Sequence, residues 1–384
     1  MNVLCISDKS PDSDHSAVEG IFNGSFKSMA EQVYIVYFSR KSKTVSMSEN
    51  KIVLPWRFKY IDVVKPLGDR IDLTAIDVVI VRNFFQTLNK ILKYRHKFQF
   101  IVGFWESFPH NFRRIYQARF EQKHLFRKTL EYHLKRIRER KSLQKCDFYL
   151  PITESYKNQF YGDLNIPFYP LPMGVDFSQI PIESLRPANR SESIRRFIYT
   201  GAVDGMRQLD VVVSAFLECK TKFEFHIYTS NNNSQVNQIQ ELRDPRIVVK
   251  KHLPRKELLQ IMTHFDIGIG LIPETPLYRS SSPTKTLEYY ALGLPAVISR
   301  LPEYSTLFDS KTAFFCEFKR ESISACINRI GNIPQEEICQ MGKRGRQKIM
   351  KERNYSTLSA GLFDFLRRQI NFQCETYIRT DTVG

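Results

Sequence analysis

The sequence of 384 residues lacks any apolar run long enough to cross a bilayer as a helix, which excludes a helical span within it. It opens without a basic stretch, an apolar core and a small-residue cleavage site, so a cytoplasmic protein is expected. It has no CxxC pair and no cysteine beside a histidine at zinc-ligand spacing. Its seven cysteines, Cys5, Cys146, Cys219, Cys316, Cys326, Cys339 and Cys374, are scattered and odd in number. Reduced structural thiols are expected, rather than a disulfide frame or a zinc site. With no histidine cluster either, no metal cofactor is expected. Acid is the scarcer charge: 40 Asp+Glu stand against 57 Lys+Arg, a net +17. A surplus of that size points to an anionic partner.

What is present is an alternation of short apolar runs with helical patterns. Runs at 2–7, 33–38, 76–81, 99–104 and 147–152 are rich in Val, Ile, Tyr and Phe. They are apolar on both faces, as strands buried between two helix layers must be. A polar stretch, 182–196, carries no strand pattern and reads as a linker. The alternation then restarts, with strands expected at 196–201, 223–229, 246–251, 266–272, 295–299 and 313–318. Helices are expected over 208–219 and 254–265, and from about 355 to 370. The last carries Leu358, Leu362, Phe365 and Leu366 on one face. The final fourteen residues have little to pack with. These patterns predict an α/β protein made of two doubly wound domains in tandem.

The stretch "SSSPTKTLEYYALGLPAV", 280–297, predicts a helix from Pro283 to Leu292. Ser282 is its expected N-cap, and Leu287, Tyr290 and Ala291 form its apolar stripe. Gly293 suits the left-handed residue that ends it. Lys285 falls in the first turn, where the helix dipole disfavours a cation by roughly 0.3–1 kcal/mol. An anion at the helix start reverses that penalty, because free N–H groups, dipole and lysine then all favour it. Glu288 lies on the same face at i+3, where a carboxylate can accept bonds from ribose hydroxyls. A surface Lys–Glu pair is the plainer alternative.

This stretch resembles the donor-site helix of GT-B glycosyltransferases of the family 4 type. Their pattern has a Lys, a Glu three residues on, then A-x-G-x-P. Glu288 matches the second glutamate of the family's E-x7-E, and Ser280 stands where the first would be. "FIYTGAVDGMRQLDVVVSAF" resembles the family's strand, glycine loop and helix. Gly201 matches the glycine, Arg207 replaces the usual lysine, and Ala202 the usual arginine. "KHLPRKELLQIMTHFDIGIGLIP" resembles the segment whose backbone, around Leu253, cups the base. "YLPITESYKNQFY" and "YPLPMGVDFSQIP" resemble the stretches that close the first domain, with Met173 in place of Asn. The likeness covers about 147–368. In the first domain, Gly20 and Gly24 stand where the family has glycines that admit donor or acceptor. Either His110 or Glu106 matches the place of its functional histidine.

The resemblance implies a GT-B fold of two Rossmann-like domains, with a C-terminal helix returning to the first. The boundaries expected are 1–185 for the acceptor-binding domain, 186–352 for the donor-binding domain and 353–384 for the returning helix and tail. It implies transfer of a sugar from a nucleotide donor, such as a UDP- or GDP-sugar, with retained configuration. The acceptor would be a saccharide or lipid-linked saccharide in surface polysaccharide or glycolipid synthesis. A nucleotide-sugar epimerase or hydrolase on the same fold, or a non-catalytic basic scaffold, is the alternative. The segment 113–145 carries twelve Lys/Arg against Glu121, Glu131 and Glu139. Ile115, Tyr116, Phe120, Leu125, Phe126, Leu130, Leu134 and Ile137 lie between them. It predicts one or two helices with a core-facing stripe and a basic outer face suited to an anionic membrane surface, worth about 1 kcal/mol per Lys/Arg. No recognised nucleic-acid motif accompanies the charge, so no nucleic-acid partner is expected.

Overall fold

The computed structural model describes residues 1–11, 16–122, 124–181 and 194–381. Most of the expected linker, 182–193, lies outside the described residues. The chain divides into two compact units, Met1–Met173 with Tyr355–Gly384, and Gly174–Asn354. The first change of unit comes earlier than 185/186. Its cause is a tie within the second unit: Val175 pairs with Asn354, and its amide donates to the Arg353 carbonyl at 2.8 Å.

Among the described residues, the first unit holds a seven-stranded sheet. Its strands are β1 (Asn2–Ile6), β2 (Gln32–Ser39), β3 (Ser46–Ser48), β4 (Lys51–Pro55), β5 (Val78–Arg82), β6 (Ile101–Glu106) and β7 (Phe148–Pro151). The spatial order is β3-β4-β2-β1-β5-β6-β7. Every neighbouring pair is parallel except β3–β4. In the centre, Cys5 lies opposite both Ile35 and Ile80. All five residues of β5 are buried, as its unbroken apolar pattern requires. The pair β3–β4 was not expected. Its first strand, "SMS", is exposed and polar, and the turn into β4 passes through Glu49 at φ 50°.

The second unit holds β8 (Arg195–Thr200), β9 (Phe223–Thr229), β10 (Ile247–Lys251), β11 (Ile267–Gly270), β12 (Ala296–Ile298) and β13 (Phe314–Phe315). They run parallel in the order β10-β9-β8-β11-β12-β13. The core is aromatic: Phe216, on the helix Leu209–Leu217, stacks on Phe225 of β9 at 4.1 Å between centroids. Burying such a side chain contributes roughly 1.5–3 kcal/mol. The helix Thr284–Ala291 lies against β11, and Gly268 makes room for it. A Cβ there would come within 2.2 Å of the Tyr289 ring.

The last helix, Tyr355–Asp381, belongs to the first unit and buries Leu358, Leu362, Phe365 and Leu366. It runs on past the expected end near 370. The basic segment forms two helices, His110–Phe120 and Leu125–Leu143. Its apolar stripe does not face a core, which corrects the expectation. Ile115 is buried, but Phe126 is 86% exposed, and Phe120, Leu125, Leu130, Leu134 and Ile137 are exposed as well. The second helix meets its neighbours through other positions, such as Ser142, which bonds Asn89, and Arg136, which bonds the Phe160 carbonyl. No helix among the described residues is long and apolar enough to cross a membrane.

Candidate functional site

Open parallel sheets take ligands at the carboxyl ends of their strands, beside the point where strand order reverses. In the second unit that point lies between β8 and β11. From β8 the chain enters Gly201, whose φ of 134° only glycine adopts without strain. From β11 it passes through 271–283 into the helix Thr284–Ala291. Lys285 points back over β8: its ammonium lies 3.8 Å from the centroid of the Tyr199 ring. A Cβ on Gly201 would stand 4.0 Å from the same ammonium. Arg207 reaches the place from the turn after Gly201, its guanidinium 5.6 Å from the centroid of Tyr278. Asp204 fixes that turn by accepting from the Arg207 amide at 2.9 Å.

The electrostatics are uneven. Lys285 Nζ and Arg207 Nε are both buried without a hydrogen-bond partner among the described residues. Burial holds the Lys285 amine well below the usual lysine value, Arg207 pushes it further down, and Asp204 works against both. A buried cation without a counter-ion costs several kcal/mol. Here two cations share one carboxylate at the start of a helix, where anions bind.

One turn further on, Glu288 is met by Arg255, whose Nε donates to Oε1 at 2.9 Å with both side chains 14% exposed. Arg255 also bonds Gln179. Leu253, half-buried, precedes this arginine in the loop after β10, and Ser280 is 2% exposed. The helix start differs from expectation in one respect. Pro283 occupies the cap, and Ser282 donates instead to Glu303 Oε1 at 3.0 Å. At the other end Gly293 has φ 74°, the left-handed value expected.

The same fold recurs in solved structures. A sucrose-phosphate synthase from Thermosynechococcus elongatus is 13% identical, with a TM-score of 0.73 over 96% of this chain and 98% of that one. An α,α-trehalose-phosphate synthase (UDP-forming) from Burkholderia xenovorans, in complex with glucose-6-phosphate, is 12% identical, with a TM-score of 0.66 over 96% and 100%. The Anabaena protein HepE, in complex with UDP and glucose, is 10% identical, with a TM-score of 0.64 over 96% and 100%. No curated protein matches the sequence. A family described as glycosyl transferase-like matches residues 207–363. The chain has the GT-B fold of these structures.

The second unit brings Gly201, Arg207 and Lys285 together, with Glu288 one turn behind. Sequence reasoning missed Tyr199, Asp204, Tyr278 and Arg255. For Arg255 a signal was available, since it lies two residues after Leu253 in the segment already singled out. The rings of Tyr199 and Tyr278 carry no local pattern that separates them from core tyrosines.

In the first unit the candidates scatter. Gly20 does not open the backbone to a ligand: a Cβ there would come within 2.2 Å of the Tyr355 ring. Gly24 precedes the helix Ser25–Met29, and a Cβ there would lie 3.2 Å from the Gly20 carbonyl oxygen. At both positions the glycine admits a close neighbour from within the first unit. Glu106 is 6% exposed and accepts from the Tyr149 hydroxyl at 2.8 Å. Burial drives its carboxyl up to about 7, against hydrogen bonds from Tyr149, Tyr156 and Tyr161. It is an enclosed acid. His110 begins the helix His110–Phe120. His110 is exposed at its helix start, yet desolvation lowers its ring to about 4, with Asp8 opposing and Arg82, Lys9 and Arg113 adding to the shift. At neutral pH the ring is therefore uncharged.

Proposed function

We propose that the second unit binds a nucleoside-diphosphate sugar, and that the glycosyl group passes to a saccharide or lipid-linked saccharide held by the first. The observation that carries this is the pair of buried cations, Lys285 and Arg207, with unmet donors at a helix start. A diphosphate supplies the missing negative charge. Gly201 leaves room for it, since no side chain projects there. The loop at Leu253 borders the base, and Glu288, steadied by Arg255, faces the ribose. Ser280 takes the place near the donor sugar.

As the glycosidic bond breaks, charge grows on the β-phosphate. Lys285, Arg207 and the helix start are fixed in place to stabilise it, with no reorganisation at the moment of reaction. In this reading no metal is required. The acceptor attacks on the face the phosphate leaves, and the departing phosphate helps to take its proton, so the product retains its configuration. His110, uncharged at neutral pH, is the candidate base of the first unit. A role in surface polysaccharide or glycolipid synthesis agrees with the exposed ridge on the helix Leu125–Leu143. Phe126, Leu130, Leu134 and Ile137 recur at helical spacing among Arg127, Lys128, Arg138 and Lys141. Such a helix lies in a membrane interface, its apolar side in the acyl boundary.

A thermal-shift screen across UDP-, GDP- and ADP-sugars tests the donor site. One nucleotide is expected to raise the melting temperature in proportion to its binding free energy, about 2.7 kcal/mol at a hundredfold excess over Kd. Lys285→Met is expected to abolish the shift. A shift that survives the substitution, or none with any nucleotide, sinks the proposal. Product NMR then reads the anomer, and an inverted one ends the same-face mechanism.

A further inference from the structure

The first unit carries a row of basic side chains that the donor site does not use. They come from the carboxyl ends of adjacent parallel strands. Trp56 and Lys59 follow β4, Arg40 follows β2, and Asp8 and Lys9 follow β1. Arg82 ends β5, and Ser107 and His110 follow β6. Strand order reverses between β1 and β5, the place where open sheets take ligands.

The floor of this edge is neutral and fixed. Arg82, 1% exposed, pairs with Asp8 and donates to Ser107 Oγ at 2.8 Å. Asn83 donates to Asp8 Oδ2 at 3.1 Å and to Ser107 Oγ at 2.9 Å. Lys59 is placed differently. It is 9% exposed, and its ammonium lies 3.3 Å from the centroid of Phe84 and 4.2 Å from that of Trp56. Arg40 lies over the same tryptophan at 4.8 Å. Aromatic faces attract a cation without neutralising it. Among the described residues, no carboxylate lies within ion-pair distance of Lys59, Lys9 or Arg40. Burial brings the Lys59 amine down to about 8; Asp8 works against that, while Arg40 and Arg114 add to it. Asp8 is already engaged by Arg82, so among the described residues this edge keeps an unbalanced positive charge at a ligand-binding position.

We propose that the carboxyl edge of the first sheet binds a phosphate group carried by the acceptor, with Lys59 as its main contact and Lys9 and Arg40 as flanking charges. The proposal rests on the reading of the first unit as the acceptor half. It narrows the acceptor to phosphorylated saccharides, either a free sugar phosphate or a saccharide joined to lipid through phosphate.

Isothermal titration of the full-length protein separates the cases. The probes are glucose 6-phosphate, glucose, glucuronate, dodecyl diphosphate glucoside in micelles and dodecyl glucoside, each with and without UDP. One phosphate probe is expected to bind about tenfold or more tighter than its phosphate-free partner. Which one does so distinguishes the soluble acceptor from the lipid-linked one. Lys59→Met is expected to remove the advantage, and Lys59→Arg to keep most of it, with UDP binding unchanged in both. Equal binding within each pair, no binding by either phosphate probe, or an advantage that survives Lys59→Met overturns the proposal. Glucuronate binding as tightly as glucose 6-phosphate overturns the phosphate assignment. UDP titrated alone reports on the donor site separately: its failure removes the donor reading and leaves the phosphate comparison intact.

Discussion

At the reversal point of the first sheet, a buried arginine comes with its own counter-ion. Arg82 and Asp8 pair, and Asn83 and Ser107 bond to them, so that the charge is neutralised although Arg82 Nε has no hydrogen-bond partner among the described residues. At the reversal point of the second sheet, Lys285 and Arg207 bury donors that nothing among the described residues meets. Both edges descend from the same kind of sheet, yet one charge is balanced by the fold and the other is not. The difference separates a charge that holds a loop in place from one kept for a ligand. It also predicts opposite responses to substitution.

The largest effect belongs to the balanced pair. Asp8→Ala strands Arg82 in the interior and is expected to cost about 3–5 kcal/mol, read from urea denaturation. Lys285→Met is expected to leave nucleotide-free stability unchanged or raised, since it removes a buried cation rather than a partner. A loss from Lys285→Met as large as that from Asp8→Ala would break the contrast.

A smaller effect comes from Glu106, whose carboxyl is raised from 4.5 to about 7 by burial. An acid raised in the folded state contributes its full stability below pH 4.5 and loses it as pH rises through 7. Glu106→Gln is expected to flatten that dependence, worth up to about 3 kcal/mol between the two limits. The measurement is unfolding free energy at about pH 5 and pH 8 for both proteins. Equal slopes would show that another group, such as the nearby Glu139, also raised by burial, sets the dependence.

The smallest effect on stability is expected on the ridge of the helix Leu125–Leu143. Phe126→Ser with Leu134→Ser should change stability by no more than about 0.5 kcal/mol per site, because these side chains are already in water. Sedimentation with anionic vesicles should fall in the double variant, and neutral vesicles should bind neither protein. Unchanged sedimentation removes the membrane reading.

The sheets were legible because buried strands announce themselves: "IDVVIV" and "DIGIGLI" leave few alternatives once bounded by turns. The strand "SMS" was not, since three polar residues carry no periodicity and owe their pairing to β4. The candidate donor residues were legible one by one: Lys285 and Glu288 lie three positions apart, and Gly201 ends a strand. Arg255 reaches Glu288 from 33 positions away, and such a contact has no local trace. The stripe of 113–145 misled for a physical reason. Helical spacing tells which residues share a face, but what that face meets is decided by the rest of the fold. Gly20 shows the same limit: a glycine required for close approach looks alike in sequence whether a ligand or the Tyr355 ring is the neighbour.

That ring has a consequence for how the molecule is made. Tyr355 packs on Gly20, Phe363 on Phe26 and Phe365 on Phe148, so the first unit needs the helix Tyr355–Asp381 to complete its interior. A ribosome delivers about 5–20 residues each second, always from the amino end. The second unit, Gly174–Asn354, is fully synthesised before Tyr355 is added. The half begun first is therefore finished last. While residues 174–354 are added, its sheet waits without the helix that packs on Gly20, Phe26 and Phe148, a stage at which a chaperone has apolar surface to hold.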